Sequence, residues 1–333
     1  MAGGTVAKRS AGGLAEIVGS EFPALSDPDA VAEIRESLLD NVGGALGRKD
    51  LLQVPFPSGG STSWEIPDDF GGDPTPVSEI RIVPVHYRPV RLLFPARQNG
   101  QAKLGEFPVC SSPDGVRPVI NGLYGDQGER ASVNQPVLLD DGLTSARTCG
   151  GCPMSQFGSA ASYHGRESGG RGQACQARMM LFGLRPENGD FGGDLLPILF
   201  SCPPTSVDAF RTAMMGLLRR YPGIHYSGFV LTMKLRKVDG DNPYAELRIR
   251  PEGLLTGARS KRKGGPEEGS PAAAALAYSE GFGKLLTDDA VLSQAAASGP
   301  GHDGDGGASA SYADGGDFGD AGEFGDHGDT SPA

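Results

Sequence analysis

The sequence lacks the runs and motifs that would place it in a membrane or in a familiar enzyme class. Its longest apolar run, Leu195–Phe200, is far too short to span a bilayer. The N-terminal stretch MAGGTVAKRSAGG has no apolar segment of the kind an export signal needs. No 20–50-residue repeat is present, which argues against solenoids and propellers. There is no carboxylate cluster with metal-ligand spacing, no Gly-rich loop ending in Lys-Ser/Thr and no G-x-S-x-G, so the expectation is a protein without catalytic activity. Asp114, Asp140 and Asp141 are the loop carboxylates left over, and they read as turn residues. Cysteine is scarce, with five in 333 residues. Without an export signal, these predict a reducing, cytoplasmic setting in which paired thiols read as metal ligands before disulfides.

What is abundant is backbone punctuation. The chain holds 52 glycines and 26 prolines against 38% hydrophobic residues, too little apolar matter for one uniformly packed unit. The net charge of −11 is unevenly spread: residues 1–80 carry −8, residues 81–263 carry +9, residues 264–298 carry −4 and residues 299–333 carry −8. A basic centre flanked by acidic ends keeps nucleic acid open as a partner, although the whole-chain pI of about 5.0 argues against it.

The pattern predicts an α+β protein. Residues 1–50 read as a loose segment followed by a helix from Asp27, with Pro28 in its first turn and Val31, Ile34, Leu38 and Val42 on one stripe. LLQVPF, SWEIP and VSEIRIVPVHYRPVRLLF read as strands, QACQARMMLFGLRP as helix or strand, and LLPILFSC as a buried strand. TSVDAFRTAMMGLLRRYPG predicts a helix capped by Thr205 and Asp208, with Phe210, Met214, Leu217 and Leu218 on one face. HYSGFVLTMKLRKV and PYAELRIRPEG predict a hairpin. Residues 51–258 form the expected core, residues 259–298 a linker with a small helix, and residues 299–333 a disordered acidic tail.

Between about 105 and 180 the chain is rich in Gly, Ser and Pro and needs something other than a hydrophobic core to hold it. Four cysteines lie there, spaced Cys110-x38-Cys149-x2-Cys152-x22-Cys175. A C-x2-C turn aims two thiolates at one ion and two distant cysteines complete a tetrahedron, which predicts a structural zinc site. An Fe–S cluster and a set of ordinary buried thiols remain alternatives. Cys202 reads as a core residue and His164 as a loop histidine.

Alternation along the hairpin puts Phe229, Leu231, Met233 and Leu235 on one face and Val230, Thr232, Lys234 and Arg236 on the other. In its second strand Tyr244, Arg248 and Arg250 join that polar face with Glu246. His86, Tyr87, Arg88, Arg91 and Arg97 form a second basic-aromatic segment. Cations along a phosphate backbone with aromatics for stacking are what single-strand binding requires, so Tyr87, Arg88, Arg91, Lys234, Arg236, Tyr244, Arg248 and Arg250 are the expected contacts. A solvated sheet face is the competing reading. Arg166, Arg171 and the RSKRK run at 259–263 would extend the track, although such a run also suits a solvated linker. The tail, with Phe318 and Phe324 among its carboxylates, suits a solubiliser, a nucleic-acid mimic or a recruiter of replication or recombination proteins.

The blocks LLQVPFPSGGSTSWEIP, FPVCSSPDG, CGGCPMSQFGSA, GRGQACQARMMLFGL and LLPILFSCPPTS together resemble a family of largely uncharacterised bacteriophage and integrative-element proteins, over about residues 50–255. In layout the chain also resembles phage helix-destabilising proteins, which join an OB-type β-barrel, a zinc subdomain and an acidic tail; their zinc ligands include a histidine and are spaced differently. The resemblance implies an OB-like barrel with a zinc-held Gly-rich insertion, in the cytoplasm of a bacterial host cell, binding single-stranded DNA in replication or recombination. A zinc-stabilised protein-interaction or transcription-associated module, and a nuclease or primase-like enzyme, are the alternatives.

Overall fold

A computed structural model of the chain describes residues 14–26, 50–57, 60–68, 72–95, 108–120, 148–163, 172–186, 195–240 and 243–297, with a few isolated residues and the strand pair 137–138/145–146 between them. The acidic tail, Arg97, His164, Arg166, Arg171, Asp140 and Asp141 lie outside the described residues. Of the helix expected from Asp27, Asp29, Glu33 and Glu36 are helical and the rest lies outside them.

The class is α+β, as expected. Thirteen strands are described: β1 Ala15–Ile17, β2 Gln53–Val54, β3 Trp64–Ile66, β4 Thr75–Val77, β5 Glu79–Leu93, β6 Cys110–Ser112, β7 Val119–Ile120, β8 Val137–Leu138, β9 Ser145–Ala146, β10 Cys175–Leu184, β11 Ile198–Cys202, β12 Phe229–Val238 and β13 Tyr244–Leu255. Nine form one sheet, along the path β1-β13-β12-β5-β10-β11-β2 with β6 and β7 branching from β5. The end strands of this path do not pair among the described residues, so the expected OB-type barrel does not close. The cause lies in β5. At 15 residues it is long enough to take β12 along its first four residues and β6 along its last three, while β10 runs beside almost its whole other edge. The sheet forks instead of curling onto itself.

Five helices are given ranges among the described residues, α1 Pro23–Ser26, α2 Ser159–Tyr163, α3 Pro204–Arg220, α4 Pro271–Leu285 and α5 Asp288–Ala297, and all but α2 cover the two faces of the sheet. On one face α1, α4 and α5 supply Ala24, Leu25, Ala272, Ala275, Phe282 and Val291 to a core with Val83, Val90, Met180 and Phe182. On the other, α3 lays Phe210, Met214 and Leu217 over Leu181, Phe200, Leu231 and Leu247, and Trp64 of the β3–β4 hairpin fills the same layer. Each such large apolar side chain contributes about 1.5–3 kcal/mol by leaving water. Residues 271–297 are therefore part of the main core and not an appendage to it. Likewise, residues 15–17, expected to be loose, pair in parallel with β13. The start of α3 departs from expectation: Pro203 caps it without a side-chain hydrogen bond, and Leu218 faces solvent.

A bulge explains how β5 serves both cores. Its partners on β10 run Pro84↔Gly183 and then His86↔Phe182, leaving Val85 as the extra residue. Before it, Ile80 and Ile82 face the α3 layer; after it, Tyr87 faces that layer while Val90 and Leu92 face the other. The carbonyl of Val85, released from the ladder, accepts from the Ser279 hydroxyl at 2.6 Å and from the Tyr226 hydroxyl at 3.3 Å.

Candidate functional site

Register gathers the cysteines. Leu93 pairs with Cys175 on one edge of β5 and with Cys110 on the other, so both thiols stand on one face, either side of Leu93. The C-x2-C segment joins them as a pair of 3-10 turns, Cys149–Gly151 and Pro153–Ser155, anchored by the Cys149 N–H donating to the Val116 carbonyl at 2.8 Å. Leu93, Cys110, Ala174 and Cys175 make a small buried cluster, with Val109, Met154 and Tyr163 packed against it.

The four sulfurs act on one another electrostatically. Burial first, then the neighbouring cysteines, pushes the Cys110 thiol far up, and burial pushes Cys175 up to about 12 and Cys149 upward. The arrangement is gathered but not closed: among the described residues no group of three or more His, Cys, Asp or Glu side chains is disposed to hold a metal ion. Strand register fixes Cys110 and Cys175, two interstrand spacings or about 10 Å apart, which must lean inward over Leu93 to share a ligand. Cys202 is a buried core residue on the α3 side of the sheet, as its apolar context suggests.

Arg91, expected at a nucleic-acid groove, lies instead two residues from Leu93 on this same face, opposite Ser112 of β6 and Ala177 of β10. It hydrogen-bonds Cys175 and acts electrostatically on Cys149. Ser112 is fully buried and interacts with Cys149 and, at 3.1 Å, with Asp114. Burial opposes ionisation of Asp114, but hydrogen bonds from the Arg117 and Val116 N–H groups, the Arg117 guanidinium and Ser112 outweigh it and hold the carboxyl down to about 2.

The remaining expected contacts do not converge on a groove. The Tyr87 ring is part of the core, edge-on to Phe210 and Tyr226. Arg88 emerges on the opposite face, paired with Asp288 at 2.5 Å. The hairpin alternates as expected, but its neighbours neutralise it. Lys234 pairs with Glu79 of β5 at 2.6 Å, and Arg236 and Arg248 share Glu246 at 2.6 and 2.9 Å. Arg81, in the same row, is held between Glu252 and Glu21. Tyr244 is half-buried, and Arg250 is exposed and has no ion pair among the described residues.

The concentration of unpaired cations is elsewhere. Arg219 and Arg220 close α3, where the carbonyl end of the helix favours cations. Lys261, Arg262 and Lys263 form a 3-10 turn capped by Ser260. The Lys261 N–H donates to the Gly223 carbonyl at 2.9 Å, which fastens this turn to the loop three residues beyond Arg220. Gly223 has φ +84, and a Cβ there would stand 2.3 Å from Ser260 Oγ, so the close approach requires glycine. All five cations are exposed and none is ion-paired among the described residues. The apolar Met215 and Leu218 of α3 are 48% and 44% exposed. The 261–263 run is visible in the sequence; its place against α3 is not.

The chain matches no family model, no curated protein and no solved structure. Among the described residues no helix is long and apolar enough to cross a membrane.

Proposed function

We propose that the protein binds single-stranded DNA without catalysis, in phage or mobile-element replication or recombination, and that it grips the phosphate backbone through Arg219, Arg220, Lys261, Arg262 and Lys263. One observation carries the reading. Two basic segments, some 40 positions apart in sequence, are fastened side by side with all five cations exposed and unpaired. Like charges held together repel, and a polyanion relieves the repulsion while releasing its own counterions. The charge chemistry selects phosphate; the likeness in layout to helix-destabilising proteins selects single strands. An OB-type groove is not part of this reading, because the patch belongs to a helix end and a turn.

The exposed Met215 and Leu218 favour, as a second reading, a protein-interaction module using the same helix. A mobility-shift comparison of single-stranded DNA, duplex DNA and RNA of equal length tests the proposal. Salt-sensitive binding with single-stranded DNA preferred is the expected result. Absence of binding to all three at low salt would refute it.

A further inference from the structure

We infer that Cys110, Cys149, Cys152 and Cys175 together bind one divalent metal ion of zinc type, with Arg91 as the cation that offsets the charge of the occupied site. This inference stands independently of the nucleic-acid proposal. Its first support is convergence: Cys110 and Cys175 flank Leu93 by strand register, and Met154, in the turn that carries Cys149 and Cys152, packs against the cluster they form with Leu93 and Ala174.

The second support is Arg91. A guanidinium near the end of β5 faces the thiols, and its Nη1 is buried without a hydrogen-bond partner. An orphaned buried donor costs on the order of 1–3 kcal/mol, more when charged. Asp114, the carboxylate acting on Cys149, does not answer it, being engaged by Arg117 at 2.6 Å and by backbone N–H groups. Neutral thiols are weak acceptors, whereas metal-bound thiolates are strong ones. Four cysteines that bind a divalent ion release four protons and leave a net charge of −2, which Arg91 reduces to −1. Bound metal thus supplies a strong acceptor for the orphaned Nη1 of Arg91.

The third support is what the region is short of. The buried cluster around the thiols holds four residues, one of them alanine, against the two large cores elsewhere. β6 and β10 flank the last residues of β5 here, and a metal bound across Leu93 would tie both to it. Closing the site requires the C-x2-C turn to settle onto the pair.

The test is titration of the reduced, full-length protein with Co²⁺, followed by ligand-field and thiolate charge-transfer absorption, and then displacement by Zn²⁺. One equivalent of cobalt with tetrahedral thiolate bands, bleached by one equivalent of zinc, is the expected result. Cys149→Ser should abolish the tetrathiolate spectrum. Arg91→Met should keep the stoichiometry and weaken affinity about 10–100-fold, the usual effect of removing an outer-sphere partner, while Arg91→Lys should recover part of the loss. Folded, reduced wild-type protein that takes up neither metal overturns the site, whatever the variants do. Iron with acid-labile sulfide in the isolated protein overturns the single-ion assignment. Wild-type metal affinity in Arg91→Met overturns the role of the arginine.

Discussion

The decisive perturbation for the nucleic-acid reading is the triple change Lys261→Gln, Arg262→Gln and Lys263→Gln. Single-strand binding falls with salt at a slope of about −0.7 per phosphate neutralised, so a patch of five cations predicts a log–log slope of about −3.5. Removing three leaves about −1.4. Scaled down from a 1 M reference, the three contacts amount to about 100-fold in affinity at 0.1 M salt. The fold should not respond, because the three side chains are exposed and their turn is held by backbone bonds and by Ser260, so stability should stay within about 0.5 kcal/mol. The assay is fluorescence anisotropy with one labelled oligonucleotide at several salt concentrations. Lys234→Gln with Arg236→Gln is the control. These cations are already matched by Glu79 and Glu246, so their loss should shift the slope far less. A triple variant with the wild-type slope, or a hairpin variant that loses more than the triple one, would refute the assignment of the patch.

Ser279→Ala removes the shorter hydrogen bond to the carbonyl of the bulged Val85 and should cost about 1–2 kcal/mol in denaturant unfolding, with Tyr226→Phe costing less. Gly183→Ala puts a Cβ 2.8 Å from Ile82 Cδ1 near the end of β10 and should destabilise by about 1–3 kcal/mol through overpacking, lowering the unfolding midpoint. Burial, with help from Arg88, lowers the His86 pKa from 6.5 to about 4. The unfolded chain therefore takes up this proton first as pH falls below 6.5, and the stability present above that pH is lost until about pH 4. The expected loss from this residue is about 2 kcal/mol between pH 7.5 and 5, and His86→Phe should flatten unfolding free energy over that window; an unchanged pH profile would count against it. Deleting residues 299–333, which carry −8, should tighten single-strand binding at low salt and leave it unchanged at high salt, provided the tail competes for the patch.

Local periodicity determined much of this protein. The alternation of Phe229, Leu231, Met233 and Leu235 against Thr232, Lys234 and Arg236 is what the strand shows, because a strand side chain's face depends only on its own position in the pleat. The same holds for Phe210, Met214 and Leu217, which lie on one side of a helix whatever covers them. What a residue meets across the sheet is a different kind of fact. Lys234 faces Glu79, and Arg236 and Arg248 share Glu246, through pairings that set residues more than 150 positions apart opposite one another in the first case. A cation that reads as free in the hairpin, Lys234, is therefore ion-paired once β5 lies beside it. Tyr87 and Arg91 were assigned by composition to a binding surface, but a single extra residue at Val85 shifts the phase of β5, sending Tyr87 into the core and Arg91 to the thiols. The basic run at 261–263 reads as linker until the hydrogen bond from Lys261 to Gly223 sets it against the end of α3. Side-chain direction is local and legible in the order of residues; partnership is long-range, and register alone decides it.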